Sequence, residues 1–369
     1  MATGYFPYLL RDISTYAGMA TPHSKIDAHG LTAMTLANAA ANPIALQETL
    51  GDGTNREVRV KYRQRNTKAQ TDTSASCDNV LTNPRLEATI SINNTRAIAW
   101  YLSDATLALY EKESHTNTGG PGNLSGISRE LMEIMFSGAN GILKAMNDDL
   151  WGLVSYGKNI GESPAVSTAV TLNLPQAVGT QPLTSGMPKL LYDFQRNGFQ
   201  GRPQVVGSGL FHSYILTQPY KALDSYGMNS AIATAALDFW PDMDLSDNTS
   251  NANSIVMFEP GSIQLVEKLE YTGAFGGVKP GASEFGVIPI PVNVNGRLAS
   301  VKFDAQLKYF DCPTTLTDMY TGNSSTYPKG WSLMIKKDFA LWQTPSDAYR
   351  HEDPKRSVNG ALRYTVTNS

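Results

Sequence analysis

The sequence of 369 residues has little cysteine and little histidine. Its two cysteines, Cys77 and Cys312, lie far apart, which argues against a disulfide framework and indicates synthesis in the reducing cytoplasm. The five histidines show neither an H-E-x-x-H pattern nor paired-cysteine spacing, and the chain has neither a phosphate-binding P-loop motif nor a G-x-S-x-G nucleophile elbow. We therefore predict no catalytic residues, no metal site and no cofactor, and we expect that the protein is not an enzyme.

Long apolar runs and an excess of positive charge are also lacking. The apolar run of residues 5–10 is broken by Pro7 and followed by Arg11 and Asp12, so it is too short for a signal peptide. No later stretch approaches the length of a membrane span. The formal charge of -3 excludes the basic excess expected of a protein that wraps nucleic acid, so any such contact must be local. With 41% hydrophobic residues, the chain can build a core in one elaborate domain or in two or three subdomains.

Two weak signals have simple structural interpretations. Gly207-Ser208-Gly209 lies between a predicted strand and a predicted helix, but His212 stands where a dinucleotide-binding fingerprint needs its third glycine. We therefore favour a tight turn over nucleotide binding. The carboxylate pair Asp242 and Asp244 falls in a loop without the glycine and glutamate of a calcium loop, and we expect solvated side chains there.

One segment carries a strong charge pattern. Val58, Val60 and Tyr62 alternate with basic residues, which predicts a strand with one basic face. The segment has one acidic residue, Glu57, and six basic residues: Arg56, Arg59, Lys61, Arg63, Arg65 and Lys68. A polar stretch follows, so residues 51–83 are predicted to form a long hairpin. The basic face could bind phosphate, but docking on an acidic neighbouring subunit fits better, because no aromatic residue other than Tyr62 interleaves with the basic ones.

The remaining elements are predicted from hydrophobic periodicity. Residues 96–113 are expected to be helical, and residues 128–154 are expected to form one long helix with Ser128 as its N-cap. A helix over 187–196 and a strand over 203–206 form a small α/β unit. Asn295-Gly296 predicts a hairpin between strands over 287–294 and 298–309. A further strand over 331–340 is followed by a polar tail.

This order of parts resembles the major capsid proteins of tailed phages, which have the Hong Kong 97-type fold. Residues 56–83 are similar to the extended loop of that family, residues 128–154 to its spine helix, and residues 187–208 to the opening helix and strand of its axial domain. Residues 255–266 resemble a strand pair late in the axial domain, and residues 302–342 resemble the returning sheet of some members.

The resemblance implies an α+β fold with an N-terminal arm, an extended β-hairpin loop, a long spine helix in a peripheral domain and an α/β axial domain. The expected boundaries are 1–50 for the arm, 51–85 for the extended loop, 86–180 for the peripheral domain, 181–291 for the axial domain, and 292–369 for returning strands and a C-terminal tail. The six basic residues of the extended loop would then make contacts between subunits.

The function implied is a capsid subunit that assembles with itself, as hexamers and pentamers, into an icosahedral shell around double-stranded DNA. Expected partners are a separate scaffolding protein, a portal and a decoration protein, with weak non-specific contact to DNA and no membrane. The protein would be made in the host cytoplasm and located in the virion. Two alternatives stay open: an encapsulin-like compartment shell, and a structural protein of a phage tail or baseplate.

Overall fold

The computed structural model describes residues 5–19, 24–41, 47–49, 56–63, 85–116, 126–157, 170–174, 187–209, 236–245, 253–270, 283–349 and 359–368, with positions 21, 124, 211–213 and 215. The helices are α1 (Phe6–Ala17), α2 (Gly30–Ala41), α3 (Asp104–Thr116), α4 (Gly126–Leu153) and α5 (Met187–Arg196). The strands are β1 (Ile26–Ala28), β2 (Gln47–Thr49), β3 (Glu57–Arg63), β4 (Arg85–Ser91), β5 (Asn94–Leu102), β6 (Val170–Leu174), β7 (Gln204–Ser208), β8 (Asp238–Asp242), β9 (Ser254–Phe258), β10 (Ile263–Lys268), β11 (Ser283–Val294), β12 (Arg297–Asp311), β13 (Thr315–Thr317), β14 (Ser324–Thr326), β15 (Lys329–Gln343) and β16 (Ala361–Asn368).

This mixture of helices and strands confirms the predicted α+β class. The chain divides into two compact units, each assembled from separate stretches of sequence. The first unit comprises residues 1–28, 93–146 and 267–339, and the second comprises residues 29–92, 147–266 and 340–369.

The first unit is built on long antiparallel strands. β11 pairs with β12 along its whole length around the predicted turn, where Asn295 and Gly296 have φ angles of 49° and 82°. These positive angles are those of a two-residue hairpin turn, which explains the Asn-Gly sequence. β12 then pairs antiparallel with β15, and β15 with β5. The predicted hairpin at Asn295 is therefore confirmed.

The helix predicted over residues 96–113 is wrong in its first half, because those residues belong to β5. This strand pairs with β15 over nine residues, from Asn94 opposite Phe339 to Leu102 opposite Trp331. The β-branched and aromatic side chains of Ile98 and Trp100 suit a pleated surface, and α4 packs over them. Only the second half of the predicted helix exists, as α3.

The long helix is present as α4, with 28 residues, but its N-terminus differs from the prediction. Ser128 is not the cap: it lies inside the first turn, and its buried Oγ has no hydrogen-bond partner among the described residues. The backbone N–H of Ser128 instead donates to Oε2 of Glu113 at 3.3 Å. Gly126, at φ 59°, leaves the space that this carboxylate needs, because a Cβ there would overlap Glu113.

The second unit contains a five-stranded mixed sheet in the order β6-β16-β9-β7-β8. Its core includes Leu190 and Phe194 of α5, Val205 of β7, and Leu362 and Tyr364 of β16. The polar tail predicted after residue 340 is thus wrong for residues 361–368, which form an inner strand of this sheet. Within this strand Ala361, Leu362 and Tyr364 are buried, but the polar composition of the rest of the tail concealed the strand.

Candidate functional site

The basic segment lies in a three-stranded antiparallel sheet of the second unit. β3 pairs with β4 from Glu57 opposite Ser91 to Arg63 opposite Arg85, and β2 pairs with the other edge of β3. The predicted strand over this segment is confirmed. Its return strand, β4, begins at Arg85, two residues beyond the predicted hairpin, and the rest of the hairpin's tip lies outside the described residues.

One face of this sheet is apolar and covers a core. Val58 and Val60 are 4% and 2% exposed, and they pack with Val266, Ala340 and Trp342. Side chains two apart on a strand share a face, so the predicted alternation places both valines inward. This burial fixes the register, because a slip by one residue would exchange the apolar face for the charged one.

Tyr62 continues the apolar face and anchors the strand. Its ring lies 5.8 Å from that of Trp342, and its hydroxyl donates to the carboxylate of Asp347 at 2.9 and 3.0 Å. Burial, followed by the hydrogen bond from the hydroxyl to Asp347, raises the pKa of Tyr62 to about 12. Asp347 lies in a 3₁₀ turn, Ser346–Tyr349, and nothing in the sequence pattern marked it.

The opposite face carries charges of both signs, and we call it the charged face. Glu57 and Arg59 are exposed, and Nζ of Lys61 lies 3.6 Å from Oε1 of Glu87 on β4. Since cross-strand partners share a face, Glu87 of β4 lies on the charged face opposite Lys61. The charged face is therefore less basic than residues 56–68 alone suggest.

The six predicted contact residues are only partly brought together. Arg59 and Lys61 lie on the charged face, while Arg56 precedes β3, is exposed, and accepts the backbone N–H of Ile92 through its carbonyl at 2.7 Å. Arg63 occupies the last position of β3. Arg65 and Lys68 lie outside the described residues.

Asp242 contradicts the expectation of a solvated loop carboxylate. It is fully buried, and its Oδ2 accepts hydrogen bonds from Asn147 Nδ2 at 2.9 Å and Trp151 Nε1 at 2.7 Å. The backbone N–H of Asp244 donates to its Oδ1 at 3.1 Å. Gly30 opens α2 directly against this carboxylate, where a Cβ would overlap it. A buried charge needs such partners, and here they join α2, the end of α4 and β8.

Gly207 serves packing. It lies in β7, every residue of which is buried, and a Cβ on it would lie 2.5 Å from Cδ1 of Phe211. The missing side chain thus admits an aromatic ring against the strand, which is a structural role for a glycine in a strand.

Two further properties hold for the part of the chain that the structure describes. No group of three or more His, Cys, Asp or Glu side chains within it could hold a metal ion. None of its helices is both long enough and apolar enough to cross a membrane.

No protein-family model and no curated protein matches this sequence. Among solved structures, the chain is similar to one described as "Cyanophage A-1(L) capsid asymmetric unit", with a TM-score of 0.45, 10% identity, and 88% of this chain and 92% of that chain covered. It is similar to "Asymmetric unit of bacteriophage PhiM1 mature capsid", with a TM-score of 0.37, 9% identity, and 86% and 83% covered. It is also similar to a chain of "Mycobacterium phage Che8", with a TM-score of 0.35, 12% identity, and 88% and 89% covered.

Proposed function

We propose that this chain is a major capsid protein that assembles with itself into the icosahedral shell of a tailed phage. The observation that carries the proposal is the β3–β4 pair, which covers a core with one face and presents the charged face to solvent. It is followed along the chain by the 28-residue helix α4, the α/β segment and the long returning strands. That order is the one expected of the Hong Kong 97-type fold.

The charged face explains how copies would meet. Charges of both signs at fixed positions on a paired sheet give orientation and specificity, while each exposed pair contributes little affinity alone. Around closed symmetry the same weak contact is repeated, and the effective concentration of tethered neighbours makes the shell cooperative. Arg56, Arg59, Lys61, Arg63, Arg65 and Lys68 are the residues proposed to contact an acidic surface of the neighbouring subunit.

The domain assignments follow from the same proposal. Residues 1–50 would serve as the arm, 51–85 as the extended loop, 86–180 as the peripheral domain with α4 as its spine, 181–291 as the axial domain, and 292–369 as the returning strands and tail. Hexamers and pentamers of the chain would form the shell, with a separate scaffolding protein, a portal and a decoration protein as partners. Contact with the enclosed DNA would be weak and non-specific, the location the virion, and the role structural rather than enzymatic.

Expression of the chain alone, followed by sedimentation and electron microscopy, tests this function. Closed icosahedral particles are expected. Their nuclease-resistant contents then separate a genome shell from a compartment shell, which would hold protein cargo. Rings or tubes would instead favour the tail or baseplate protein, and a monomer that stays monomeric with its scaffolding partner present would contradict the proposal.

A matched pair of variants tests the charged face itself. Arg59→Glu reverses an exposed charge on that face, whereas Arg297→Glu makes the same change at the exposed first position of β12. Both variants should fold, since each side chain is exposed. We expect Arg59→Glu to abolish shell closure and Arg297→Glu to leave it intact. Equal yields of closed particles from the two variants would remove the charged face from the proposal.

A further inference from the structure

The pair Asn-Gly occurs four times in the sequence, at Asn140-Gly141, Asn197-Gly198, Asn295-Gly296 and Asn359-Gly360. This pair is chemically reactive, because the backbone nitrogen of the glycine can attack the side-chain amide carbon of the asparagine. Glycine has no Cβ to obstruct that approach. The sequence gives all four pairs the same reacting groups, so the fold decides which of them react.

Two of the pairs are held by helical backbone. Gly141 lies inside α4, where the backbone N–H groups are bonded within the helix, and Asn140 is half-buried. Asn197 follows α5 and is fully buried, and its Nδ2 donates to a backbone carbonyl of that helix at 2.7 Å. The attacking nitrogen of Gly198 itself donates to the carbonyl of Gln195 at 3.0 Å. Neither pair can react without first breaking these hydrogen bonds.

The pair near the C-terminus is held by its side chain. Nδ2 of Asn359 donates to the carbonyl of Ser155 at 3.0 Å and to its Oγ at 2.9 Å. Oδ1 of Asn359 accepts the backbone N–H of Ala361 at 3.4 Å. Gly360 is buried, and its carbonyl accepts the backbone N–H of Glu259 at 2.9 Å. The amide group of Asn359 is therefore fixed through both its nitrogen and its oxygen.

Asn295 differs from these three because only its turn holds it. Asn295 and Gly296 are both exposed, and no described residue bonds to the Asn295 side chain. They lie between Val294 and Arg297, the last paired residues of β11 and β12, and so outside the ladder. A Cβ on Gly296 would meet nothing within 4 Å, so the space around this glycine is open. Opening the turn alone brings the reacting atoms together, and such exposed ends of an element open at the lowest cost.

We propose that Asn295 is a site of spontaneous deamidation, and that it is the pair of the four that reacts in the folded protein. The nitrogen of Gly296 attacks Cγ of Asn295 and gives its proton to water, while the side-chain nitrogen takes a proton from water and leaves as ammonia. The product is a five-membered succinimide. Water then opens this ring, at Cγ to give aspartate or at the backbone carbonyl to give isoaspartate. Each copy that reacts gains one negative charge, with water as the co-reactant.

The two products act differently on the hairpin. Aspartate keeps the backbone intact, and Asp-Gly fits the same two-residue turn. Isoaspartate inserts a methylene group into the backbone between Val294 and Arg297, whose pairing closes the turn. Val294 is also paired with Ala28 of β1 and is buried. The isoaspartate form should therefore loosen this end of the sheet, whereas the aspartate form should preserve it.

Ageing of the purified chain tests this inference, which needs only the hairpin and water and does not depend on the proposed function. The folded protein is incubated at pH 8 and digested at mildly acidic pH, and mass spectrometry measures the acid and amide forms of the four peptides. We expect Asn295 to deamidate at least about tenfold faster than each of the other three, since those must first break hydrogen bonds. In denaturant all four should react at similar rates. Equal rates in the folded protein, or a faster reaction at another pair, would overturn the proposal.

Isoelectric focusing of variants gives an independent check. Asn295→Gln keeps an amide but cannot form the five-membered ring, so it should remove the acidic shift that ageing produces in the unmodified chain. Asn140→Gln makes the matched change at a half-buried pair on α4 and should age as the unmodified chain does. Asn295→Asp should focus at the position of the aged protein from the start. An acidic shift of unchanged size in Asn295→Gln would show that the site is wrong.

Discussion

Tyr62 and Asp347 are joined across 285 residues of sequence by a hydroxyl that donates to both oxygens of one carboxylate, at 2.9 and 3.0 Å. This hydrogen bond links the C-terminal end of β3 to the 3₁₀ turn Ser346–Tyr349, which precedes β16. Tyr62 also packs against the cores on both sides of it. This tyrosine therefore anchors the end of β3 within the second unit.

Tyr62→Phe should destabilise the protein by about 1 to 3 kcal/mol, because a hydrogen bond to a charged group is lost and Asp347 keeps its charge. Denaturant unfolding measures the change. Tyr192→Phe is the matched control: Tyr192 is 47% exposed and its hydroxyl accepts a hydrogen bond from Arg196 on a helix surface, so removal of that hydroxyl should cost less than about 0.5 kcal/mol. Equal losses in the two variants would show that the Asp347 bond contributes nothing.

The same pair should make stability sensitive to alkali. The pKa of Tyr62 is raised by burial and by Asp347 from 10.0 to about 12 in the folded protein. Its contribution is therefore fully present below pH 10 and is lost as the pH rises toward 12. The difference in unfolding free energy between the unmodified chain and Tyr62→Phe should shrink across that window. A difference that stays constant from pH 9 to pH 12 would contradict this assignment.

Asp318 should give the opposite dependence, on acid. Its burial raises the pKa, but the hydrogen bonds from Thr321, Ser103 and Thr106 outweigh burial and lower the pKa to about 2. Because the folded value lies below the unfolded value of 3.8, the stabilisation is present above pH 4 and is lost as the pH falls toward 2. Asp318→Asn should cost about 2 kcal/mol at neutral pH. Unfolding midpoints of both proteins measured between pH 2 and 6 should converge at the acid end.

Two glycines of α4 should respond oppositely to the same substitution. A Cβ on Gly138 would overlap the indole of Trp100, whereas a Cβ on Gly152 would meet nothing within 4 Å. Gly138→Ala should therefore destabilise by about 1 to 3 kcal/mol through overpacking. Gly152→Ala should stabilise by up to about 1 kcal/mol, because alanine is the better helix former. Thermal unfolding compares them, and shifts of the same sign would refute the close packing of α4 on β5.

The elements that sequence predicted well are those whose pattern is local. The alternation around Val58, the 3.6-residue period of α4 and the Asn295-Gly296 turn each specify their own conformation, and all three are present. β5 and β16 escaped prediction because their identity depends on distant partners. Pairing with β15 and β9 decides their conformation, and no window of ten residues contains that information.

In the candidate site, too, the features set by local sequence were predicted, and those set by distant partners were not. The strand at Arg59 and Lys61 follows from alternation, but the acidic side chain of Glu87 lies on the charged face only because the ladder places it opposite Lys61. Likewise Asp242 and Asp244 suggested a solvated loop, while hydrogen bonds from Asn147 and Trp151 make Asp242 an interior anchor. The charges within a sequence segment therefore do not show which charges share a face of the folded protein, nor which of them are buried.

The position of β16 inside its sheet determines when, during synthesis, that sheet can finish folding. Residues 361–368 lie between β6 and β9, so these two strands have no direct pairing in the sheet until β16 enters between them. Non-local pairing of this kind is slow, and here it also waits for the ribosome to pass the last strand. A growing chain therefore holds an open sheet until residues 361–368 have been made, and the sheet of the second unit closes only after that. Until then the edges of β6 and β9 that β16 will cover stay unpaired, and unpaired edges of this kind can pair with another chain.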